Sequence, residues 1–229
     1  MNIPAKDPDA VSIIQITDTH IAPASDNYTG MDTRQSLQAV IRQINRQEQA
    51  PDLILLTGDL AYDPDIRAYQ ILTELLSQLA APIYCIPGNH DDPDMLIANM
   101  QGKNIHTDKL LHTGNWSIIL LNTVQAGTHA GYLSQTELDF LHTSLKTQTQ
   151  EHTLIALHHH PLPCGSKWMD EMMLQNPQAL LSIVSAFPAV KALICGHIHQ
   201  EFSHRDGAVL YLASPSTCTQ FKPISEDYT

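Results

Sequence analysis

The sequence predicts an α/β layered fold. Three observations carry that expectation: short apolar runs recurring along the chain, amphipathic segments between several of them, and unusual polar residues just past the runs. The runs cover residues 11–16, 53–56, 83–86, 116–121, 153–157, 192–195 and 208–212. Each is near-continuous in Ile, Leu and Val rather than alternating, as strands covered on both faces are.

Between the first runs, Leu37, Val40, Ile41 and Ile44 mark residues 33–47 as an amphipathic helix, and Ile71, Leu72, Leu75, Leu76 and Leu79 mark the next. A further helix is announced by Ser134-Gln135-Thr136-Glu137, a capping box, with Leu133 and Leu138 placed as its hydrophobic staple. Leu138, Leu141 and Leu145 continue its buried face. Residues 161–177, with their Pro, Gly, Trp and Met, read as a long loop or cap near a site at the strand ends. No repeat, low-complexity segment or linker interrupts the pattern, so residues 1–229 are read as a single domain.

Composition bounds the function. A net charge of −12 argues against nucleic-acid backbones and anionic membranes as partners. Neither a leader segment nor an apolar stretch approaching the ~18 residues of a membrane span is present, so a soluble, unexported protein is expected. The four cysteines lie far apart with no Cys-x-x-Cys pair, which suits the reducing cytoplasm rather than a disulfide framework or thiolate zinc site. An anionic substrate would need a local reversal of the field, and thirteen histidines, several clustered, suggest bound metal as its source.

Five clusters of potential ligands follow apolar runs: Asp18-Thr19-His20; Gly58-Asp59; Gly88-Asn89-His90-Asp91; His158-His159-His160-Pro161; and Gly196-His197-Ile198-His199. Singly, each has a plain explanation. An Asp past a strand is often a helix N-cap, Gly88 allows a sharp turn, and an isolated His is more often a packed residue than a ligand. Strand alternation sets His159 opposite His158 and His160, so at most one or two of the three need be ligands. Jointly, five coincidences at strand ends are hard to sustain. Imidazole, carboxylate and amide oxygen without thiolate suit Mn, Fe, Zn or Co. Two such ions ~3.5–4 Å apart clamp the attacking and leaving oxygens of a phosphoryl displacement. Two divalent ions bring about +4 against about −3 from two aspartates and a bridging hydroxide, leaving a positive centre for a phosphate.

The ordered set Asp18-x-His20, Gly58-Asp59, Gly88-Asn89-His90-Asp91, His159-x-Pro161 and Gly196-His197-x-His199 resembles the calcineurin-like metallophosphoesterase superfamily. The segments 158–163, 195–201 and 215–223 look like those of the bacterial class III 3',5'-cyclic AMP phosphodiesterases. The resemblance implies a four-layer α/β/β/α sandwich and two metal ions, iron or manganese foremost, with zinc or cobalt also suited. One ion would take Asp18, His20 and His199, the other Asn89, His159 and His197, and Asp59 would bridge them. It further implies in-line attack by a metal-activated water or hydroxide, with cyclic AMP opened to 5'-AMP. Asn89, His90 and His199 would contact the substrate, and His90 would protonate the leaving oxygen with Asp91 as the partner that orients it.

The likeness leaves open points. Alignment of His-x-Pro selects His159, with His158 as the alternative and His160 behind them. Gly58-Asp59-x-x-Tyr62 is similar to the tyrosinate motif of purple acid phosphatases, but those enzymes lack a histidine at the place of His20, so Tyr62 is read as a packed or surface residue. Relatives continue into further C-terminal strands, so the sequence is read as short at that end, leaving sheet completion and a homodimer open. The same superfamily includes enzymes acting on 2',3'-cyclic nucleotides, glycerophosphodiesters or phosphoproteins. Against the last, Asp59 is not followed by Asp-Arg-Gly, and His90 precedes Asp91 where those phosphatases carry Glu. A scaffold that has lost catalysis is a further alternative, opposed by a full set of seven ligand positions.

Overall fold

A strand that is apolar on both sides needs a layer against each face, and the chain builds these layers in two halves. The computed structural model describes residues 1–7, 10–23 and 30–228. After a short strand β1 (Asn2–Ile3), the first half runs β2 (Ile13–Ile16), α1 (Thr33–Asn45), β3 (Leu53–Thr57), α2 (Ile66–Leu76), β4 (Ile83–Ile86), α3 (Pro93–Asn99) and β5 (Ile105–His106). Its strands form a parallel sheet in the order β2-β3-β4-β5. Each helix starts on an aspartate whose carboxylate accepts from first-turn amides: Asp32 from Arg34 and Gln35, Asp65 from Arg67, and Asp92 from Met95. Such a cap contributes about 1 kcal/mol.

The second half runs β6 (Leu110–Thr113), β7 (Trp116–Leu120), α4 (Gln135–Thr147), β8 (His152–Ala156), α5 (Lys167–Asp170), α6 (Pro177–Ala186), β9 (Val190–Cys195), β10 (Phe202–Asp206) and β11 (Val209–Ala213). With β1 these strands make a second sheet, ordered β1-β6-β7-β8-β9-β11-β10. Its centre, β7-β8-β9-β11, is parallel, while β6 pairs antiparallel with β7 and parallel with β1, and β10 pairs antiparallel with β11.

Alternation along each strand explains the unbroken apolar runs. In β3, Ile54 and Leu56 face Leu37, Ile41, Leu72 and Leu76 of α1 and α2, whereas Leu53 and Leu55 face the other sheet. In β8, Leu154 and Ala156 meet them from the far side, while Ile155 packs with Leu141, Leu145, Leu180 and Val184 of α4 and α6. Three apolar layers therefore separate helix, sheet, sheet and helix, which is the α/β/β/α sandwich expected. Truncating a fully buried leucine such as Leu55 to Ala costs about 2–5 kcal/mol.

A polar side chain of β2 reaches across to the other sheet. Gln15 of β2 donates through Nε2 to the Cys195 carbonyl of β9 and to Thr57 Oγ1, both at 2.8 Å, while its Oε1 accepts from Ser214 Oγ at 2.8 Å.

Some elements depart from the sequence reading. The capping box is half formed: Ser134 Oγ accepts from the Glu137 amide at 3.2 Å, but the Glu137 carboxylate turns to Lys109 Nζ and the Asn122 amide. The stretch 161–177 is not wholly loop, since it contains α5. The sequence pattern does not mark β1, α3, α6, β5, β6 or β10; β10 is an edge strand with four exposed residues and no apolar run. All four cysteines are free thiols, and no helix among the described residues is long and apolar enough to cross a membrane.

Candidate dinuclear metal centre

The five ligand-bearing loops leave β2, β3, β4, β8 and β9 at the same end of the sandwich. Those after β2, β3 and β9 are bent into a conformation that L-residues avoid: φ is 54° at Asp18, 42° at His20, 50° at Asp59, 70° at His197 and 48° at His199. Each such residue costs on the order of 1–3 kcal/mol, which surrounding bonds must offset. They do so by stitching loop to loop. The Asp18 amide donates to the Gly58 carbonyl and the His20 amide to the Asp59 carbonyl, each at 3.0 Å. The His197 amide donates to the Asp18 carboxylate at 3.0 Å, and the Gly196 amide to the His158 carbonyl at 3.1 Å.

In one cluster Asp18, His20 and His199 converge. The Nδ1–H of His199 donates to the Thr219 carbonyl at 2.7 Å, which turns its Nε2 lone pair inward, 3.3 Å from both Asp18 Oδ1 and His20 Nε2. In the other, His158 Nδ1–H donates to the Thr57 carbonyl at 2.8 Å and leaves Nε2 at 3.3 Å from Asp59 Oδ1 and 3.2 Å from Asn89 Oδ1. The buried His197 Nε2 beside them has no hydrogen-bond partner. Asp59 lies between the clusters, Oδ1 toward His158 and Oδ2 at 3.7 Å from His20 Nε2. Acceptors facing acceptors at two buried points require a proton or a cation at each. The residues present therefore fit two metal ions.

The electrostatics agree. Burial drives His20 down to about 4 and His159 and His197 well below the ordinary imidazole value. Burial also opposes charge on His158 and His199, yet Asp59 pushes the first up to about 9 and Asp18 raises the second. Reciprocally, burial would raise both carboxyls, but His158 holds Asp59 well below its usual range and His199 lowers Asp18. Each aspartate is matched to one imidazole at the point where a cation fits.

The histidine run separates by hydrogen bonding. His159, selected by the His-x-Pro alignment, has both nitrogens engaged: Nδ1 with Thr123 Oγ1 at 2.7 Å and Nε2 with the His129 carbonyl at 3.1 Å. Its ring remains next to His158 and His197, but His158 holds the place beside Asp59 and Asn89. His160 lies behind, its Nε2 at 3.3 Å from Asp170 Oδ1. His160, Cys164 and Asp170 also cluster, yet burial pushes the Cys164 thiol up to about 11 and the Asp170 carboxylate accepts from the amides of Cys164 and Gly165. This group is a hydrogen-bonded anchor.

His90 stands at the cavity edge. Its amide donates to Asp59 Oδ1 at 2.9 Å and its Nδ1–H to the Tyr62 carbonyl at 2.7 Å, so Nε2 is the ring atom left for chemistry. The half-exposed Tyr62 ring stacks on His90 at 6.0 Å. Asp91 does not orient His90, contrary to the sequence expectation. It is buried and accepts from the amides of Leu60, Ala61 and Gly88 and from the Tyr69 hydroxyl at 2.9–3.1 Å, tying two loops together. Adjacency in sequence carries no information on side-chain direction in a turn. Gly88 is likewise needed less for a turn than for room: a Cβ there would strike the Asp59 carboxylate and the His158 ring.

His129 was missed by the sequence reading. It reaches Asn89 Nδ2 at 3.2 Å from the loop between β7 and α4, with no local motif to mark it.

Known proteins share both sequence and fold with this chain. The chain is 38% identical over its whole length to a 3',5'-cyclic adenosine monophosphate phosphodiesterase from Pseudomonas aeruginosa, covering 84% of that protein. It is 41% identical, over 96% of this chain and 80% of the relative, to the Escherichia coli K12 enzyme of the same name. A 3',5'-cyclic-nucleotide phosphodiesterase from Nostoc is 40% identical, over 95% of this chain and 82% of the relative. Among solved structures, a dimetal phosphatase from Danio rerio shares the fold with a TM-score of 0.69 at 16% identity, covering 91% of this chain and 88% of that one. The profile of the family described as Calcineurin-like phosphoesterase matches residues 11–201, which include every strand-end loop described above. On that match and those relatives, the chain belongs to the calcineurin-like phosphoesterase family.

Proposed function

We propose that the protein is a dinuclear-metal phosphodiesterase that hydrolyses 3',5'-cyclic AMP to 5'-AMP. The observation that carries the metal reading is Asp59, whose two carboxylate oxygens are divided between two clusters of inward-facing acceptors. Asp18, His20 and His199 would hold one ion and Asn89, His158 and His197 the other, with His158 taken in place of His159 because its Nε2 faces Asp59 and Asn89. When bound, the ions acidify water enough to attack at neutral pH and offset the charge of the phosphate. Iron or manganese is proposed, and zinc or cobalt suits the same donors.

The chain's own residues do the rest. Asn89 and the strained loops fix the clusters relative to one another. The carbonyl of Tyr62 holds His90 Nδ1–H, so that Nε2 carries the exchangeable proton site toward the leaving oxygen. The substrate assignment rests on the names of the relatives. With four free cysteines and a net charge of −12, a cytoplasmic enzyme of small anions fits better than one of nucleic acids.

The test joins metal analysis of the purified protein to kinetics on cyclic AMP, 2',3'-cyclic AMP and a chromogenic diester. About two ions per chain and a preference for cyclic AMP are expected. Metal-loaded protein that leaves cyclic AMP intact while hydrolysing another diester would end this substrate assignment.

A further inference from the structure

The cavity over the two clusters, of about 230 Å³, is unlike at its two ends. The floor carries the imidazoles and carboxylates already described. An adjoining wall is Trp168, Met169 and Met172 from the cap, with Phe221 and Tyr228 from the segment after β11. Phe221 lies flat on His199, with centroids 4.2 Å apart and planes 9° from parallel, so the wall begins one ring thickness from the floor. Trp168 stands edge-on to both Phe221 and Tyr228 at 5.1 Å.

This trio is arranged in advance. Trp168 Nε1 donates to Ser225 Oγ at 3.1 Å, the Lys167 amide donates to the Ser225 carbonyl at 3.0 Å, and the Ser225 amide donates to Ser166 Oγ at 3.3 Å. Cap and C-terminal segment are thereby joined into one wall. A core cluster would bury its rings, but Tyr228 is 58% exposed, and Trp168 and Phe221 are half-buried. Their outlet is the cavity. An apolar, aromatic wall beside a polar floor is the usual form of a small-molecule site.

We propose that Trp168, Phe221 and Tyr228 form the subsite for the nucleobase, which they bind by stacking. The inference rests on the reading that the phosphate lies over the two clusters, because that anchors one end of the ligand and sends its organic end to this wall. A planar heterocycle suits a wall lined by three aromatic rings, and stacking on aromatic side chains tolerates any base because every base has a π-face.

The test compares 5'-AMP with ribose 5-phosphate, which shares the sugar phosphate but lacks the base, by calorimetry on the metal-loaded full chain. AMP should bind at least about tenfold more tightly, the range base stacking supplies. Trp168→Leu and Phe221→Leu should each remove most of that preference, and Tyr228→Leu, at an exposed position that folding tolerates, should reduce it about threefold. Equal affinities in the unmodified protein, or a preference that survives in a folded Tyr228→Leu and Trp168→Leu pair, would overturn the subsite. Base preference without cyclic AMP hydrolysis would leave the subsite standing and remove the activity. Hydrolysis without base preference would do the reverse.

Discussion

The floor and the wall of the cavity are built by different rules. The floor consists of loops of a few residues bound by backbone hydrogen bonds to one another, with five non-glycine residues held at positive φ. The wall consists of a four-residue helix and an irregular segment that meet through the hydrogen bonds of Ser225 and the rings of Trp168, Phe221 and Tyr228. The floor belongs to the framework of two sheets, while the wall is laid over it. Chemistry common to a family is best held by the first kind of structure, and the choice of ligand is most easily altered in the second.

Substitutions can break that division, beginning at the floor. Asp59→Asn removes the carboxylate shared by both clusters, and activity should fall more than about 100-fold with metal content per chain reduced. Near-normal metal and rate would overturn the centre as described. His90→Ala should lower kcat about 10²–10⁴-fold while metal content stays near that of the unmodified protein. Parallel loss of metal would make His90 part of the ion-binding set instead. His158→Ala should cost metal affinity more than about 10-fold and His159→Ala distinctly less, as supporting residues do. The reverse order in metal titrations would restore the alignment-based register.

The smallest effect should come from the wall. Burial would raise the Asp170 carboxyl, but His160 Nε2 and the Cys164 and Gly165 amides hold it down at about 2, against an ordinary value of 3.8. A carboxyl depressed in the folded state stabilises above its unfolded value and loses that contribution as pH falls through the folded one. The anchor of α5 should therefore weaken between about pH 4 and 2, read as a change in Trp168 fluorescence in a Trp116→Phe background. Asp170→Asn should abolish that transition, and its persistence would place the titrating group elsewhere.

The same division governed what the sequence revealed. The floor was legible because strand ends bring Asp18-x-His20, Gly58-Asp59 and His197-x-His199 together without long-range guesswork, and the apolar runs gave the sheets. It reached less far at Asp91, because β4 ends before this residue and period-two alternation no longer governs its direction, and the run 158–160, which likewise lies past the end of β8, keeps both His158 and His159 next to His197. Within the wall, the cap was visible as a Trp- and Met-containing segment. The meeting of Trp168 with Tyr228, sixty residues away, has no local signature, nor does the approach of His129 to Asn89.

Gln15 has a bearing on tolerance. The floor draws its parts from both sheets: Asp18, Asp59 and Asn89 come from one, and His158, His197 and His199 from the other. Apolar faces between sheets resist separation but offer little grip against sliding. A slip of one residue along a strand, about 3.3 Å, would equal the whole spacing of two ions, about 3.5–4 Å. The carboxamide bonded to Cys195 and Thr57 thus acts as a gauge pin, setting the alignment of two plates whose edges must agree to a fraction of that distance.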